Sequence, residues 1–407
     1  MIRYHAAWVL PISAPPIRDG WVVVDGDRVA AHGPAGADGR DADSMREVDL
    51  GDVAIMPGLV NAHTHLELSY LRGQVPAGTS FVAWIRAVMA ARRQYPDPAA
   101  ATLLDGIDQG IAEALRSGTA LVGDISNTLV TFDRIARSPL AGVVFHELIG
   151  FRAPDAEAVV ARAMQQVASL RQTDRLRVTL AAHAPYSVAP LMLQAIRAAL
   201  DHDPSAPYSV HLSESAEEVE FIRTGAGPWR ELLDSLGVWD AAWTAPGVSP
   251  VQYLEQNGFL TGRLIAVHGV QMTRADLGRL AARRTTLVTC PRSNLLTGAG
   301  TPPIESFYAS GVRVAVGTDS LASTPDLNLF AELAALRRLA PGVPAATLLD
   351  SATRQGARAL GFAADYGTLE SGKAARLLAV AVPPGIDDVE EYLVSGVEPE
   401  HLSWIEG

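Results

Sequence analysis

The sequence alternates short apolar runs with helical segments, and this alternation limits the fold more than any other feature. The apolar runs lie at 55–65, 119–126, 142–150, 177–187, 208–215, 264–270, 286–294 and 312–320. Segments rich in Ala, Leu and Arg with helical spacing separate them, for example at 100–118, 155–172 and 274–284. Such alternation predicts βα units with parallel strands, and eight units are what a (β/α)₈ barrel requires. We therefore expect an α/β fold built on a TIM-like barrel.

Both ends of the chain have the character of β-structure. Residues 21–33 contain two apolar runs around an Asp-Gly pair, which is a hairpin signal, and a Gly turn precedes an apolar strand at 367–382. We expect residues 1–56 and 364–407 to form one small composite β-sandwich domain and residues 57–363 to form the catalytic barrel. The segment 216–263 is longer than one helix requires, so we expect a lid or specificity insertion there.

Composition narrows the classes of function. Of 407 residues, 48% are hydrophobic and 19% are charged, which is enough apolar material for a large core. The net charge is −12 and no basic run occurs, so we expect no nucleic acid partner. No apolar run is long enough to span a membrane, and the sole cysteine, Cys290, excludes an intrachain disulfide. We expect a cytoplasmic protein with a small-molecule substrate; whether it forms a homodimer stays open.

Polar side chains stand where the predicted barrel strands end. They are His63, His65, Asp124, Glu147, His183, His211, Glu214, His268 and Asp319. In a (β/α)₈ barrel the carboxyl ends of the strands build the active site, so we expect these side chains to converge. Burying several imidazoles and carboxylates together is costly without a metal ion or a hydrogen-bond network. His63 and His65 are two residues apart, which puts both on one face of a strand, as half of a metal site.

Three of these residues also admit a purely structural role. Glu214 lies in SESAEE, which resembles a helix capping box, and Asp319 is suited to cap the next helix. His268, taken alone, is compatible with an ordinary buried histidine. Their recurrence at the ends of successive strands favours a shared functional site.

Three motifs resemble the amidohydrolase superfamily: MPGLVNAHTH at 56–65, AVHG at 266–269 and VGTDS at 316–320. The resemblance covers nearly the whole chain, including the β-structure of both ends. Members with two metal ions bridge them by a carboxylated lysine of a barrel strand, but the sole lysine here, Lys373, lies outside the predicted barrel. The pattern instead resembles the mononuclear branch, in which deaminases of aminated rings dominate and a CPxSN element follows the seventh strand, here at 290–294.

This resemblance implies one divalent metal ion per chain, with Zn²⁺ as the expected ion and Fe²⁺ as the alternative. The implied ligands are His63, His65, His211 and Asp319, which leave one position open for water. The metal lowers the pKa of that water, Asp319 takes its proton and His268 orients it. Glu214 protonates the ring nitrogen beside the amino-bearing carbon. The implied net reaction is hydrolytic deamination, which converts C–NH₂ to C=O.

Residues that contact the substrate are harder to identify from the sequence. His183, in HAPYS, is the strongest candidate by position and by resemblance. Further candidates, each equally suited to a structural role, are Glu67, Trp84, Glu147, Arg223, Arg292 and Asn294. Trp84 lies in SFVAWI, which resembles the family's ring-covering helix. Some adenosyl-specific relatives place a Glu shortly after this helix to bind ribose hydroxyls, whereas this chain has AARRQYP there.

Three stretches resemble aminodeoxyfutalosine deaminases and related amidohydrolases: 63–73, 145–150 and 221–240. This implies deamination of 6-amino-6-deoxyfutalosine to futalosine and ammonia, in the menaquinone pathway. Arg223 and Arg292 would pair with the aromatic carboxylate of that substrate in a fork geometry. The alternatives are another adenosine-like, guanine-like or pterin substrate, or hydrolysis of a cyclic amide or a chloro-ring on the same metal centre. A non-catalytic barrel scaffold would have lost metal ligands, and none of the expected positions is lost.

Overall fold

The computed structural model describes residues 1–36 and 45–405. The strands are β1 (Ile2–Val9), β2 (Ile17–Asp25), β3 (Arg28–Pro34), β4 (Arg46–Asp49), β5 (Val53–Pro57), β6 (Leu59–Thr64), β7 (Thr119–Ser126), β8 (Ala141–Leu148), β9 (Leu176–Ala182), β10 (Tyr208–Leu212), β11 (Leu264–His268), β12 (Thr286–Thr289), β13 (Arg313–Val316), β14 (Leu377–Ala381) and β15 (Leu402–Ile405).

The helices connect these strands. They are α1 (Phe81–Arg92), α2 (Ala101–Arg116), α3 (Phe132–Arg137), α4 (Ala156–Ser169), α5 (Pro190–Leu200), α6 (Ala216–Thr224), α7 (Pro228–Ser235), α8 (Pro250–Gln256), α9 (Arg274–Arg283), α10 (Pro291–Thr297), α11 (Ile304–Ala309), α12 (Leu329–Leu339), α13 (Ala345–Ser351), α14 (Arg354–Ala359) and α15 (Val389–Val394), with 3-10 helices at Leu66–Leu71 and Pro399–His401. Within the described ranges, none of them has the length and apolar character needed to cross a membrane.

Both ends of the chain meet in one seven-stranded mixed sheet of order β15-β14-β5-β1-β2-β3, in which β4 also pairs with β1. The predicted hairpin is β2 with β3, and Gly26 in its turn has a φ of +58°, which glycine adopts without strain. β14 pairs antiparallel with β5, so segments from opposite ends of the chain share backbone hydrogen bonds. The composite β-structure is therefore present; the domain boundaries at 57 and 364 stay a prediction.

Eight parallel strands, β6 to β13, form the barrel as two four-stranded sheets, β6-β7-β8-β9 and β10-β11-β12-β13. Backbone hydrogen bonds connect the two sheets: His211 N donates to His183 O at 2.9 Å, and Asp319 N donates to His63 O at 3.1 Å. Each strand coincides with one predicted apolar run, and the first run also includes most of β5. The predicted α/β barrel class is confirmed.

The barrel interior is a packed core. Its side chains come from several barrel strands and from the segment around α14, and include Val60, Leu121, Val143, Phe145, Ile265, Val288, Cys290, Ala315, Leu360 and Phe362. Gly58 joins β5 to β6 at a close approach, because a Cβ there would lie 2.6 Å from the Cβ of Ala120. This packing leaves the carboxyl ends of the strands as the place for polar chemistry.

The predicted insertion at 216–263 contains α6, α7 and α8. Aromatic contacts anchor it: the ring of Trp229 stacks on Tyr186 at 3.7 Å, and the ring of Trp239 stacks on Phe151 at 5.5 Å. Arg86 on α1 donates a hydrogen bond of 3.4 Å to Ser235 Oγ at the end of α7. The helices α1 and α7 thus meet above the barrel mouth and enclose the space between them.

Candidate active site

A pocket of about 890 Å³ opens at the carboxyl ends of the barrel strands. Its lining includes the predicted residues His65, Trp84, Glu147, His183, His211, Glu214, His268 and Asp319. Apolar side chains of α1 and α7 also line it, among them Ile85, Val88, Leu232 and Leu236. Small-molecule sites typically enclose roughly 300–1,000 Å³, so this pocket has the size of a substrate site. Folding brings together side chains that are far apart along the chain.

Three imidazoles and one carboxylate cluster on the pocket floor. His65 Nε2 lies 3.3 Å from His211 Nε2, and Asp319 Oδ1 lies 3.5 Å from His65 Nε2 and 3.8 Å from His63 Nε2. Ligand atoms about 2.0–2.1 Å from a tetrahedral Zn²⁺ stand roughly 3.3 Å from one another. The observed separations are therefore those of a ligand set around one ion.

The hydrogen bonds of the imidazoles fit the same interpretation. His211 Nδ1 lies 2.9 Å from the carbonyl oxygen of His183, which can only accept, so Nδ1 carries the proton and Nε2 keeps its lone pair. Both ring nitrogens of His63 are buried and have no hydrogen-bond partner among the described residues. A buried polar atom without a partner is costly, and coordination of a cation offsets that cost. The residues present fit a divalent metal ion.

The carboxylate of Asp319 is oriented by hydroxyl groups. Ser293 Oγ donates to Oδ2 at 2.5 Å and Ser323 Oγ donates to the same oxygen at 3.1 Å. These bonds leave Oδ1 to face the imidazoles. Burial raises the pKa of Asp319 to about 6, and the two hydroxyl bonds act against that rise. The orientation of Asp319 suits a metal ligand and proton acceptor.

Glu214 and His268 form a buried pair beside the cluster. Glu214 Oε1 lies 3.5 Å from His268 Nε2, while Asn294 Nδ2 lies 2.9 Å from His268 Nδ1 on the other side of the ring. Burial, and then the negative charges of Asp319 and Glu218, raise the pKa of Glu214 well above its usual value. Burial lowers the pKa of His268 well below its usual value. A proton-carrying carboxyl beside a neutral imidazole is suited to acid–base chemistry.

Two predicted substrate contacts, His183 and Glu147, also line the pocket. Ser187 Oγ holds His183 Nδ1 at 2.6 Å, and burial lowers the pKa of His183 to about 4. Glu147 accepts a hydrogen bond of 2.8 Å from Asn127 through Oε2, and its Oε1 turns toward the imidazole of His211. His183 is therefore a neutral imidazole. Glu147 is held through Oε2, while its Oε1 is buried without a hydrogen-bond partner among the described residues.

Other predicted contacts lie away from the pocket lining. The carboxylate of Glu67 accepts hydrogen bonds from Ser126 Oγ at 2.6 Å and from the amide of Thr128 at 3.2 Å, and Arg92 pairs with its other oxygen at 3.4 Å. Glu67 thereby ties the 3-10 helix after β6 to the end of β7. Asn294 Nδ2 contacts His268 Nδ1 and is absent from the pocket lining.

Neither arginine predicted to bind a carboxylate reaches the pocket. Arg223 is exposed on α6. Arg292 makes two parallel hydrogen bonds of 2.8 Å each to Asp326, and its amide donates to the buried Glu332 at 3.2 Å. A guanidinium already paired in this fork geometry is not available to a substrate.

Sequence reasoning missed three other arginines that do line the pocket, Arg92, Arg93 and Arg152. Arg92 bonds Asn127 at 3.0 Å in addition to Glu67. The guanidinium groups of Arg93 and Arg152 have no ion-pair partner within residues 1–36 and 45–405. Arg92 and Arg93 lie in AARRQYP and Arg152 lies in FRAPD, and neither stretch has a local pattern that marks a binding arginine.

Comparisons with known proteins agree with this geometry. The model of the amidohydrolase family matches residues 54–399. The chain is similar to the aminodeoxyfutalosine deaminase of Deinococcus radiodurans, with 33% identity over 84% of this chain and 81% of that protein. It is also similar to the 5-methylthioadenosine/S-adenosylhomocysteine deaminase of Moorella thermoacetica, with 30% identity over 95% of this chain and 88% of that protein.

Solved structures show the same fold. A zinc-bound adenosine deaminase from Xanthomonas campestris superposes with a TM-score of 0.84 at 29% identity, covering 98% of this chain and 90% of that one. The aminofutalosine deaminase of Helicobacter pylori in complex with methylthio-coformycin has a TM-score of 0.84 at 24% identity, covering 100% and 98%. With the clustered ligands at the barrel mouth, the family match confirms the motif-based prediction: the chain belongs to the amidohydrolase family and is a hydrolase acting on C–N bonds.

Proposed function

We propose that the chain is a metal-dependent hydrolytic deaminase of an aminated purine nucleoside, with 6-amino-6-deoxyfutalosine as its substrate. The observation that carries the proposal is the Glu214–His268 pair, 3.5 Å apart, which lines one pocket together with the metal-ligand candidates His65, His211 and Asp319. The fourth candidate, His63, forms a close group with His65 and Asp319. Proton delivery to a ring nitrogen next to a water-activating centre is what deamination requires. The names of the relatives from Deinococcus and Moorella support an adenosine-like substrate.

His63, His65, His211 and Asp319 would hold the metal ion, and Zn²⁺ is the ion we propose, because imidazole and carboxylate ligands at these separations suit it. When bound, a divalent ion supplies Lewis-acid activation of water at neutral pH. The zinc-bound structure from Xanthomonas supports the same choice.

The remaining chemistry belongs to the side chains. Glu214 delivers a proton to the ring nitrogen beside the amino-bearing carbon, which makes that carbon more electrophilic. His268 orients the attacking water, and Asp319 accepts the proton that the water loses. The new C–O bond forms at the ring carbon. As the C–N bond breaks and the C=O bond forms, the remaining hydroxyl proton passes to Glu214, and Glu214 or Asp319 supplies the proton that the departing ammonia needs.

The pocket favours a substrate with an anionic group over a bare base. Its volume of about 890 Å³ extends well beyond the metal-ligand cluster, between the apolar faces of α1 and α7. Arg93 and Arg152 supply unpaired guanidinium groups in that outer region, and guanidinium groups match carboxylates. They take the role that the sequence analysis assigned to Arg223 and Arg292. In a chain of net charge −12, such local cations are needed to attract an anion.

The second candidate is a 5-methylthioadenosine or S-adenosylhomocysteine deaminase, which the Moorella relative favours. The two candidates differ in the group attached to the ribose. Guanine-like and pterin bases fill less of this pocket. Hydrolysis of a cyclic amide or a chloro-ring on the same centre would also use a proton donor at Glu214, so the preference for deamination is supported by the names of the relatives. A metal-free scaffold would have no reason to keep every ligand position.

The test is a comparison of kcat/KM by ammonia release across 6-amino-6-deoxyfutalosine, its analogue without the carboxylate, S-adenosylhomocysteine, 5-methylthioadenosine, adenosine, guanine and a pterin. We expect the carboxylate-bearing nucleoside to be best. A preference for a bare base, or no discrimination against the analogue without the carboxylate, would contradict the substrate. An absence of ammonia release from every compound, with the metal bound, would contradict the deaminase.

A further inference from the structure

Glu218 is a buried carboxylate that the proposed chemistry does not use. It lies in the first turn of α6 and has no exposed surface. Its Oε1 accepts a hydrogen bond of 2.8 Å from the amide of Ser213, and its Oε2 accepts one of 2.8 Å from the amide of Glu214. Each carboxylate oxygen of Glu218 thus accepts one backbone hydrogen bond, from Glu214, the proposed proton donor, or from Ser213, the residue before it.

This arrangement departs from an ordinary helix cap in the same chain. Ser215 caps α6, and its Oγ accepts from the amide of Glu218 at 3.2 Å, which is half of a capping box. In a complete box the third helical residue bonds back to the amide of the cap residue, as happens at the starts of α8 and α9. The carboxylate of Glu218 instead bonds to the amides of the two residues that precede the cap.

The backbone that Glu218 holds is strained. Ser213 has a φ of +52°, a left-handed conformation that is unfavourable for a non-glycine residue. The amide of Gln271 donates to the carbonyl of Ser213 at 2.8 Å from the other side. The segment is therefore held from two directions at the residue where the chain turns back over the barrel mouth.

We propose that Glu218 is a positioning residue that fixes the Glu214 carboxyl against His268, and that this chain uses a modified helix cap for the purpose. The inference rests on the proposed function, because it gives Glu214 the role of proton donor. A displacement of about 1 Å in a reacting group can reduce a rate by about 100-fold. A carboxylate bonded to two adjacent amides prevents such a displacement in the backbone that carries the acid.

The first experiment compares Glu218→Gln with Glu217→Gln in the holoenzyme. The new side-chain amide at position 218 keeps one acceptor and turns its NH₂ group toward a backbone N–H, so one of the two bonds is lost. We expect kcat to fall about 10- to 100-fold while KM and metal content stay near wild type. Glu217 is the matched control, because it lies in the same helical turn with its side chain partly exposed; its substitution should change neither kcat nor KM.

A double-mutant cycle separates positioning of Glu214 from a general structural role. If Glu218 acts through Glu214, the Glu218→Gln substitution should cost little further activity when Glu214 is already replaced by Gln. If it supports the fold in general, the two losses should multiply. Should Glu218→Gln not fold, Glu218→Asp replaces it, because the shorter carboxylate cannot reach both amides.

Wild-type kcat in Glu218→Asp or Glu218→Gln, multiplying losses in the cycle, or loss of metal from the variant would each overturn this inference. The failure of the proposed function would look different: Glu214→Gln alone would then keep its activity. Loss of activity in Glu214→Gln together with full activity in Glu218→Gln would contradict only the positioning role.

Discussion

Glu147 Oε1 lies 3.5 Å from Nδ1 of His211, the same nitrogen that lies 2.9 Å from the carbonyl oxygen of His183. His211 Nε2 points to the other side, toward His65. The carbonyl of His183 fixes the tautomer of His211. Glu147 Oε1 has no hydrogen-bond partner among the described residues, but its negative charge behind the ring favours a more basic imidazole. The position of Glu147 in the sequence predicted substrate binding. The geometry adds its contact with His211, a candidate metal ligand.

The first prediction follows from that contact. Glu147→Gln should lower the affinity for Zn²⁺ by about 10- to 100-fold, the usual cost of losing such a partner. Competition with a chromogenic chelator measures the affinity without any use of activity. Glu157→Gln, an equal charge change at an exposed position on α4, is the control. An unchanged affinity for Zn²⁺ in Glu147→Gln would leave substrate binding as the only predicted role of Glu147.

The second prediction concerns the number of metal ions. Elemental analysis should find one divalent ion per chain, because His63, His65 and Asp319 form one close group to which His211 is joined through His65, 3.3 Å away. The sole lysine, Lys373, pairs with Glu370 away from the barrel mouth. His211→Ala should lose the ion. Two ions per chain that are both required for activity would contradict the mononuclear site.

The third prediction separates the acid from the metal ligands. Glu214→Gln should keep the metal ion, while kcat falls by about 100-fold or more, as is typical when a general acid is lost. Metal content and kcat are measured on the same preparation. Loss of the ion, or a rate within a few fold of wild type, would show that the assigned role is wrong.

The fourth prediction concerns Asn294, which holds His268 through a contact of 2.9 Å. Asn294→Ala should lower kcat about 10-fold or more and leave KM nearly unchanged. The substitution removes the contact that holds the His268 imidazole and removes no contact with the substrate. Steady-state kinetics with the preferred nucleoside distinguishes the two parameters. A rise in KM at constant kcat would instead support the direct substrate contact that the sequence suggested.

The fifth prediction tests the outer arginines. Arg93→Met and Arg152→Met should each raise KM for the carboxylate-bearing nucleoside by about 3- to 10-fold, because both arginines are exposed and exposed charge pairs contribute modestly. The analogue without the carboxylate should be unaffected. Arg223→Met should leave both KM values unchanged, because Arg223 is also exposed but does not line the pocket. Equal effects on both substrates would contradict carboxylate recognition.

Periodicity by itself determined the architecture. Apolar runs separated by helical segments predicted the eight barrel strands, because a buried parallel strand needs apolar residues on both faces. The period of two along a strand put His63 and His65 on one face, and the rule that strand carboxyl ends share one mouth predicted that His211, His268 and Asp319 would join them. These inferences need only local geometry and the topology of the fold.

Only the tertiary structure decided which charged groups are free. Arg292 follows a strand end, as a binding residue would, yet Asp326 and Glu332 from later in the chain already bind it. Arg93 and Arg152 carry no distinguishing local pattern, and they line the pocket because α1 and the loop after β8 converge there. A charged side chain pairs with whatever partner folding brings within a few ångströms, and Coulomb energy depends on that distance and on burial, neither of which is encoded by spacing along the chain.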